Sequence, residues 1–195
     1  MKYPASISVE ELGELECVDF SGPIVVVDDQ GHEYAEAIEY LSSQKVIGFD
    51  TETKPNFTAH TPRNKMALLQ LSGDDKAFLF RLQKLGLPKS LADILSNPSI
   101  VKVGAAVKED IRGLNHYRKF TPKNFVDLQT MVGEYGIEVK SVKKMSAIIL
   151  GKRVSKTQQL SNWEAAQLSG SQLKYAAIDA YVCQKMYIEL LKYKA

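Results

Sequence analysis

The pattern of apolar residues changes along this chain, and that change narrows the possible folds more than any other feature. Five short runs rich in β-branched, aromatic and leucine residues lie before residue 105: PIVVVDD (residues 23–29), KVIGFD (45–50), KMALLQLS (65–72), KAFLFRL (76–82) and SIVKVG (99–104). Runs of this kind favour β-strands. The polar triplet GDD (73–75) separates the third run from the fourth, as in a β-hairpin.

Helical spacing of apolar residues appears between these runs and then dominates the rest of the chain. It predicts helices over residues 33–43, 87–97, 107–114, 128–134, 141–150 and 171–193. Ser169 and Gln172 form an S-x-x-Q capping box at the start of the last helix. Strands that give way to helices in this manner predict an α/β fold, in which helices cover a sheet.

The length and composition indicate one globular domain. The chain has 195 residues, 45% of them hydrophobic, and no linker rich in proline, glycine or serine divides it. We therefore expect a leader over residues 1–22 and a single domain over residues 23–195. Two cysteines far apart in the sequence argue against a disulfide framework and favour a reducing, cytoplasmic setting. No apolar run approaches the length of a membrane span, and the net charge of +2 alone does not indicate a nucleic-acid partner.

Two carboxylates end one of the predicted strands. In KVIGFDTETKP, Asp50 and Glu52 are two residues apart, so they project from the same face of a strand, about 7 Å from each other. Two anions in a cleft of low dielectric repel each other unless a cation lies between them, and oxygen ligands favour Mg²⁺ or Mn²⁺. The alternative is a pair of solvated carboxylates at a strand end, which is the commoner meaning of an isolated D-x-E.

Two later stretches add acidic residues. VGAAVKEDIRGL places Asp110 in the turn or early helix after a strand, and QLKYAAIDAYVCQKMY places Tyr175 and Asp179 one helical turn apart on one face. Asp179 lies beside a predicted core-facing stripe, where an unpaired carboxylate would be costly. Tyr175 is open to a second interpretation, as an ordinary core aromatic. The stripe consists of Ala176, Ala180, Cys183, Tyr187 and Leu190.

Taken in order, FDTET, VGAAVKEDIRGL and YAAIDAY resemble the three motifs of the DEDD 3′→5′ exonucleases. A tyrosine four residues before the last aspartate is typical of the DEDDy branch; the sister branch has histidine five residues before it, where this chain has Lys174. KMALLQLS, NFVDLQ and LSNWEAAQLSGSQLKYAAIDAY also resemble RNase D-like proteins, and most closely the exonuclease domain of Werner syndrome helicase. The resemblance extends over residues 23–193.

The resemblance implies an RNase H-like mixed β-sheet flanked by α-helices, and a metal-dependent 3′→5′ exonuclease domain over residues 23–195. Such an enzyme hydrolyses phosphodiester bonds of DNA or RNA from the 3′ end and releases nucleoside 5′-monophosphates. It implies two divalent ions, Mg²⁺ or Mn²⁺, held by Asp50, Glu52, Asp110 and Asp179, with Tyr175 orienting the attacking water. Two alternatives stay open: a catalytically weak nucleic-acid-binding module on the same fold, and a different two-metal phosphoesterase.

Basic residues near the motifs are candidates for contacts with phosphates. We select Lys108, two residues before Asp110, as the substrate-binding residue. The wider set is Lys54, Arg63, Lys65, Arg112, Lys143, Lys144, Lys152, Arg153 and Lys156. His60 lies in a polar segment that could flank the substrate groove, and Trp163 is expected to anchor the helical layer. We expect single strands or 3′ ends of DNA or RNA as partners; the oligomeric state stays open.

Overall fold

A six-stranded mixed sheet forms the centre of the protein, in a computed structural model that describes residues 3–57 and 64–193. The strands are β1 (Ile24–Val27), β2 (Val46–Thr53), β3 (Met66–Ser72), β4 (Ala77–Arg81), β5 (Val101–Gly104) and β6 (Phe125–Asp127). Their order across the sheet is β1-β4-β3-β2-β5-β6. β2, β3 and β4 run antiparallel in sequence, while β1 is parallel to β4, and β5 is parallel to both β2 and β6. The predicted hairpin at residues 73–75 joins β3 to β4.

Helices cover both faces of this sheet. They are α1 (Val9–Glu14), α2 (His32–Ser43), α3 (Leu82–Leu85), α4 (Lys89–Leu95), α5 (Val107–Leu114), α6 (Leu128–Met131), α7 (Val142–Leu150) and α8 (Gly170–Leu191), with a 3₁₀ turn at Val132–Tyr135. None of the helices in the described part of the chain is long and apolar enough to cross a membrane. The predicted α/β class, a mixed sheet flanked by helices, is confirmed.

Alternation along the strands produces two cores. On one face, Phe49 of β2 and Leu69 of β3 pack with buried residues of α2 and α4, such as Leu41 and Leu91. On the other face, α7 and α8 supply a second buried cluster that includes Cys183. The central strands are buried on both faces, so their sequences read as nearly continuous apolar runs. A polar residue in these strands is therefore conspicuous.

Several elements differ from the sequence-based expectation. Strand β6 was not predicted, because its three half-buried residues are too few to show a period. Helix α1, in the leader, was not predicted either, and it begins at a capping box formed by Ser8 and Glu11.

In α8 the capping box of Ser169 and Gln172 is present, as predicted. The core-facing stripe is buried except at Tyr187, which is half-buried.

The segment before β1 packs against the rest of the fold. Leu12, Val18 and Phe20 are buried, and the ring of Phe20 lies 5.0 Å from that of Tyr181 on α8. The cysteines are free: Cys17 is exposed and Cys183 is buried.

Candidate active site

A close contact between β2 and α8 brings the acidic residues together. A Cβ atom added to Gly48 would collide with the backbone carbonyl of Ala180, so only glycine allows the helix to lie this near to the strand. Gly48 precedes Asp50 by two residues on the same face of β2, and Ala180 follows Asp179 on α8. The contact therefore places the Asp179 side chain beside the end of β2.

Three carboxylates converge at this point. Asp50, Glu52 and Asp179 each offer one oxygen atom, and these three atoms lie within 4.8 Å of one another. Asp179 is 8% exposed, and the other two side chains are half-buried. Such a set of hard oxygen donors, held on a central strand and a long helix, has the ligand type that Mg²⁺ and Mn²⁺ prefer.

Burial raises the pKa values of all three groups, and the charges of neighbouring carboxylates raise those of Asp50 and Glu52 further. The pKa of Asp50 lies well above its usual range, first because of burial and then because of the charges on Asp179, Asp110 and Glu52. Burial first, and then the charges on Asp179 and Asp110, raise the pKa of Glu52 to about 9. Burial raises the pKa of Asp179 to about 7. A divalent cation would relieve this repulsion, so the donor set fits a metal.

Asp110 occupies a separate position beside this group. It lies in the first turn of α5, where the Thr51 hydroxyl donates a 2.6 Å hydrogen bond to its Oδ1 atom. Thr51 points to the opposite face of β2 from Asp50 and Glu52, which explains why Asp110 is not one of the three converging carboxylates. Burial raises the pKa of Asp110 to about 6, and its charge contributes to the raised pKa values of Asp50 and Glu52.

Asp127, which sequence reasoning did not select, holds the start of α5. The residue before this helix, Ala106, has left-handed backbone (φ 58°), and its N–H donates to Asp127 Oδ1 at 3.1 Å. Asp127 also caps α6 by accepting a hydrogen bond from the backbone of Gln129 at 2.9 Å. An aspartate directly before LQTM is a helix-cap signal that the sequence does contain, and it could have been noted.

Tyr175 lies one turn before Asp179, with its ring in the core and its hydroxyl at the carboxylates. Its ring centroid is 5.9 Å from that of Trp163, which is fully buried, as predicted for an anchor of the helical layer. A hydrogen bond from the Tyr175 hydroxyl lowers the pKa of Asp179. Burial, followed by the nearby carboxylates, raises the pKa of Tyr175, so the phenol stays protonated at neutral pH.

Two cavities flank the carboxylates. One, of about 830 Å³, lies on the side of Asp110 and is lined by Lys54, Lys65, Arg112 and Tyr117, among others. Of its cations, Lys54 forms an ion pair with Glu164 and Arg112 forms one with Glu109. The other cavity, of about 330 Å³, adjoins Tyr175 and contains Cys17, Lys174 and three hydroxyl side chains.

The predicted substrate-binding residue does not line either cavity in the described part of the chain. Lys108 is exposed on α5, and a residue two positions from Asp110 on a helix faces a different side. Lys156 is the cation whose charge lowers the pKa values of Glu52 and Asp179. Arg63 and His60 lie outside the described residues.

A mixed sheet with acidic residues at the end of its central strand and on the helix packed against it defines a nuclease-type α/β domain. The chain belongs to the 3'-5' exonuclease family, whose sequence profile matches residues 25–193. The predicted membership of a 3′→5′ exonuclease family is thereby confirmed.

Individual relatives agree with this assignment. The chain is 35% identical over 161 residues to Exonuclease 3'-5' domain-containing protein 2 of Drosophila melanogaster, covering 80% of this chain and 27% of that protein. It is 31% identical over 156 residues to the bifunctional 3'-5' exonuclease/ATP-dependent helicase WRN of Mus musculus, covering 77% of this chain and 11% of that protein. The chain thus spans about a quarter or less of these two relatives.

A solved structure shares the fold. The crystal structure of Trypanosoma brucei RNase D in complex with RNA U12 superposes with a TM-score of 0.76 at 20% identity, over 96% of this chain and 66% of that one. The expected RNase H-like architecture is therefore confirmed.

Proposed function

We propose that this chain is a metal-dependent 3′→5′ exonuclease that hydrolyses phosphodiester bonds of DNA or RNA from the 3′ end and releases nucleoside 5′-monophosphates. The observation that carries the proposal is the convergence of Asp50, Glu52 and Asp179, whose oxygen atoms lie within 4.8 Å of one another. Membership of the 3'-5' exonuclease family supports the reaction class and its polarity.

Asp50, Glu52, Asp179 and Asp110 would hold two divalent ions, Mg²⁺ or Mn²⁺. The first three converge on one point, while Asp110, steadied by Thr51, stands beside them. Divalent ions held there would supply a nucleophile at neutral pH and neutralise the negative charge that develops on the departing 3′ oxygen. The chain contributes ligands fixed on rigid elements, since β2 lies within the sheet and α8 packs directly on it.

Tyr175 would orient the attacking water. Its raised pKa makes the phenol a poor base at neutral pH and keeps its proton available for a hydrogen bond. The packing against Trp163 fixes the ring, and the turn of helix that separates Tyr175 from Asp179 places the hydroxyl at the carboxylates. The role is therefore one of positioning the water rather than removing its proton.

The larger cavity is the best candidate for the substrate strand. It adjoins Asp110 and carries Lys54, Lys65 and Arg112, whose charges suit a phosphate backbone. Lys108 stays our substrate-binding candidate on the outer face of α5, beyond the cavity wall. The RNase D structure in complex with RNA supports a nucleic acid as the substrate class.

Labelled oligonucleotides test this function. Single-stranded DNA and RNA carrying a 5′ label should shorten stepwise from the other end, whereas a 3′ label should appear at once as a mononucleotide. The reaction should require Mg²⁺ or Mn²⁺ and stop in EDTA. Asp50→Asn, which keeps the size of the side chain and removes its charge, is the matched inactive variant.

Two results would contradict the proposal. One is equal degradation by the parent protein in EDTA and in Mg²⁺. The other is cleavage of a circular single strand at the rate of the linear one, because a circle offers no 3′ end.

A further inference from the structure

Gln70 is a polar side chain at the centre of the sheet with an unpaired amide. The residue is fully buried on β3, and neither its Nε2 nor its Oε1 atom has a hydrogen-bond partner among the described residues. Buried polar groups almost always have partners, so a buried amide with both ends unpaired requires an explanation. Leu69 and Leu71, next to it on β3, are apolar, and a leucine or methionine at position 70 would suit the core equally well.

The strand register places Gln70 directly beside Asp50. In the antiparallel pair of β2 and β3, Gln70 is the partner of Asp50. Directly opposed residues point to the same face, with Cβ atoms about 4.5–5.5 Å apart. On the other side, Gln70 is paired with Leu79 of β4, which packs with Tyr175 of α8. The amide is therefore enclosed between α8 and the strand that carries two of the converging carboxylates.

The Asp50 carboxylate can accept more hydrogen bonds than it receives, and the Gln70 amide can donate one. Among the described residues, the backbone of Thr51 donates a hydrogen bond to the Asp50 carboxylate and no side chain does. A carboxylate has two oxygens with about four acceptor positions, and the glutamine Nε2 carries two N–H donors. Carboxylates that bind metals are themselves usually held by hydrogen bonds from neighbouring groups.

We propose that Gln70 is a positioning residue for the metal site, which donates a hydrogen bond from Nε2 to one oxygen of Asp50 while the other oxygen binds the divalent ion. The inference rests on the proposed function, because it requires a metal at Asp50. The hydrogen bond forms when the ion binds, and it fixes the rotation of the carboxylate so that the ligand oxygen stays directed toward Glu52 and Asp179.

A role in packing alone leads to a different expectation. Methionine has nearly the same length as glutamine and no donor, so Gln70→Met removes an unpaired amide from the core without creating a large cavity. If Gln70 only fills space, the variant should bind metal as the parent does. If Gln70 positions Asp50, the variant should melt at the same or a higher temperature in EDTA yet bind metal more weakly.

Manganese binding without substrate provides the first test. The protein is titrated with Mn²⁺, and the free ion is measured by electron paramagnetic resonance. The Mn²⁺ affinity of Gln70→Met should be about 10- to 100-fold lower than that of the parent, as for other residues that support metal ligands. Gln184→Met is the matched control. Gln184 is also buried with an unpaired Oε1, but its Nε2 donates to the Val46 carbonyl at 3.1 Å, at the opposite end of β2. The Gln184→Met variant should retain the Mn²⁺ affinity of the parent.

The side-chain amide signals of the unaltered protein provide a second test that does not depend on how a variant folds. On titration with Mg²⁺, the Gln70 amide protons should shift and exchange more slowly with solvent, while those of Gln184 stay in place. An unchanged Gln70 amide at saturating Mg²⁺, or parent-like Mn²⁺ affinity in Gln70→Met, overturns the inference. If the parent protein binds neither ion, the metal-dependent function is refuted as well. If the parent is active and binds metal but the Gln70 amide signal does not change, only this inference is refuted.

Discussion

Replacing Tyr175 with phenylalanine separates the chemical role of this side chain from its packing role. Tyr175 is 8% exposed and its ring lies 5.9 Å from that of Trp163, contacts that phenylalanine retains. The substitution removes the hydroxyl and its hydrogen bond to Asp179. Since one hydrogen bond contributes about 1 kcal/mol, Tm should fall by only about 2–4 °C in a domain of this size.

The same substitution should reduce kcat much more than it reduces stability. A single positioned group contributes about 10- to 1000-fold to a rate, which corresponds to about 1.4–4 kcal/mol of transition-state stabilisation. KM should change little, because the phenol is not needed to bind the strand.

Single-turnover rates on a 5′-labelled oligonucleotide, together with thermal melts, provide the assay. Tyr187→Phe is the matched control: it alters a half-buried tyrosine on the same helix, about 18 Å further along the axis. Tyr175→Ala should lose about 3–5 kcal/mol of stability because it leaves a cavity beside Trp163. A Tyr175→Phe enzyme as fast as the parent would refute the orienting role and leave Tyr175 as a core aromatic.

Two further predictions concern the geometry and the charge of the site. Gly48→Ala should lower the free energy of unfolding by about 1–3 kcal/mol and weaken Mg²⁺ binding, because its methyl group would push α8 away from β2 at Ala180. Thermal melts with and without Mg²⁺ measure both effects, and the control is Gly13→Ala, whose methyl group meets nothing within 4 Å. In metal-free protein the pKa of Glu52 is raised to about 9, so its contribution to stability is present below about pH 4 and is lost as the pH rises toward 9. In EDTA, Tm should therefore fall less steeply from pH 5 to 9 for Glu52→Gln than for the parent, and equal slopes would contradict the burial of this charge.

Local patterns were sufficient to predict most of the sheet and the longer helices. Residues 65–82 predicted a hairpin, and β3 and β4 form it, because the two apolar runs and the polar turn between them lie within 18 consecutive residues. The capping box at Ser169 likewise predicted the start of α8 to within one residue. Strand β6 could not be predicted in this way, because Phe125–Asp127 is extended only through its pairing with β5.

The residues of the site likewise divide into those that a local sequence pattern predicts and those that it does not. The spacing of Asp50 and Glu52 on a strand, and of Tyr175 and Asp179 on a helix, predicts which side chains share a face. The hydrogen bond from Thr51 to Asp110 joins residues 59 positions apart, and no local pattern reveals it. The position of charged side chains is harder still to predict. Lys156, in an irregular segment before α8, lowers the pKa of Glu52, and its position depends on tertiary packing alone.

The arrangement also explains why a buried strand can end in two carboxylates. Periodicity alone sets Asp50 and Glu52 on one face of β2, and Asp179 on the inner face of α8, but it does not set the distance between the two elements. Gly48 and Ala180 set that distance, because the absence of a side chain on β2 lets the backbone of α8 reach the strand. The close approach costs free energy while the carboxylates lack a cation, as their raised pKa values show. A bound divalent ion would reverse the sign of that interaction, so the same contact that strains the metal-free protein would make the loaded site rigid.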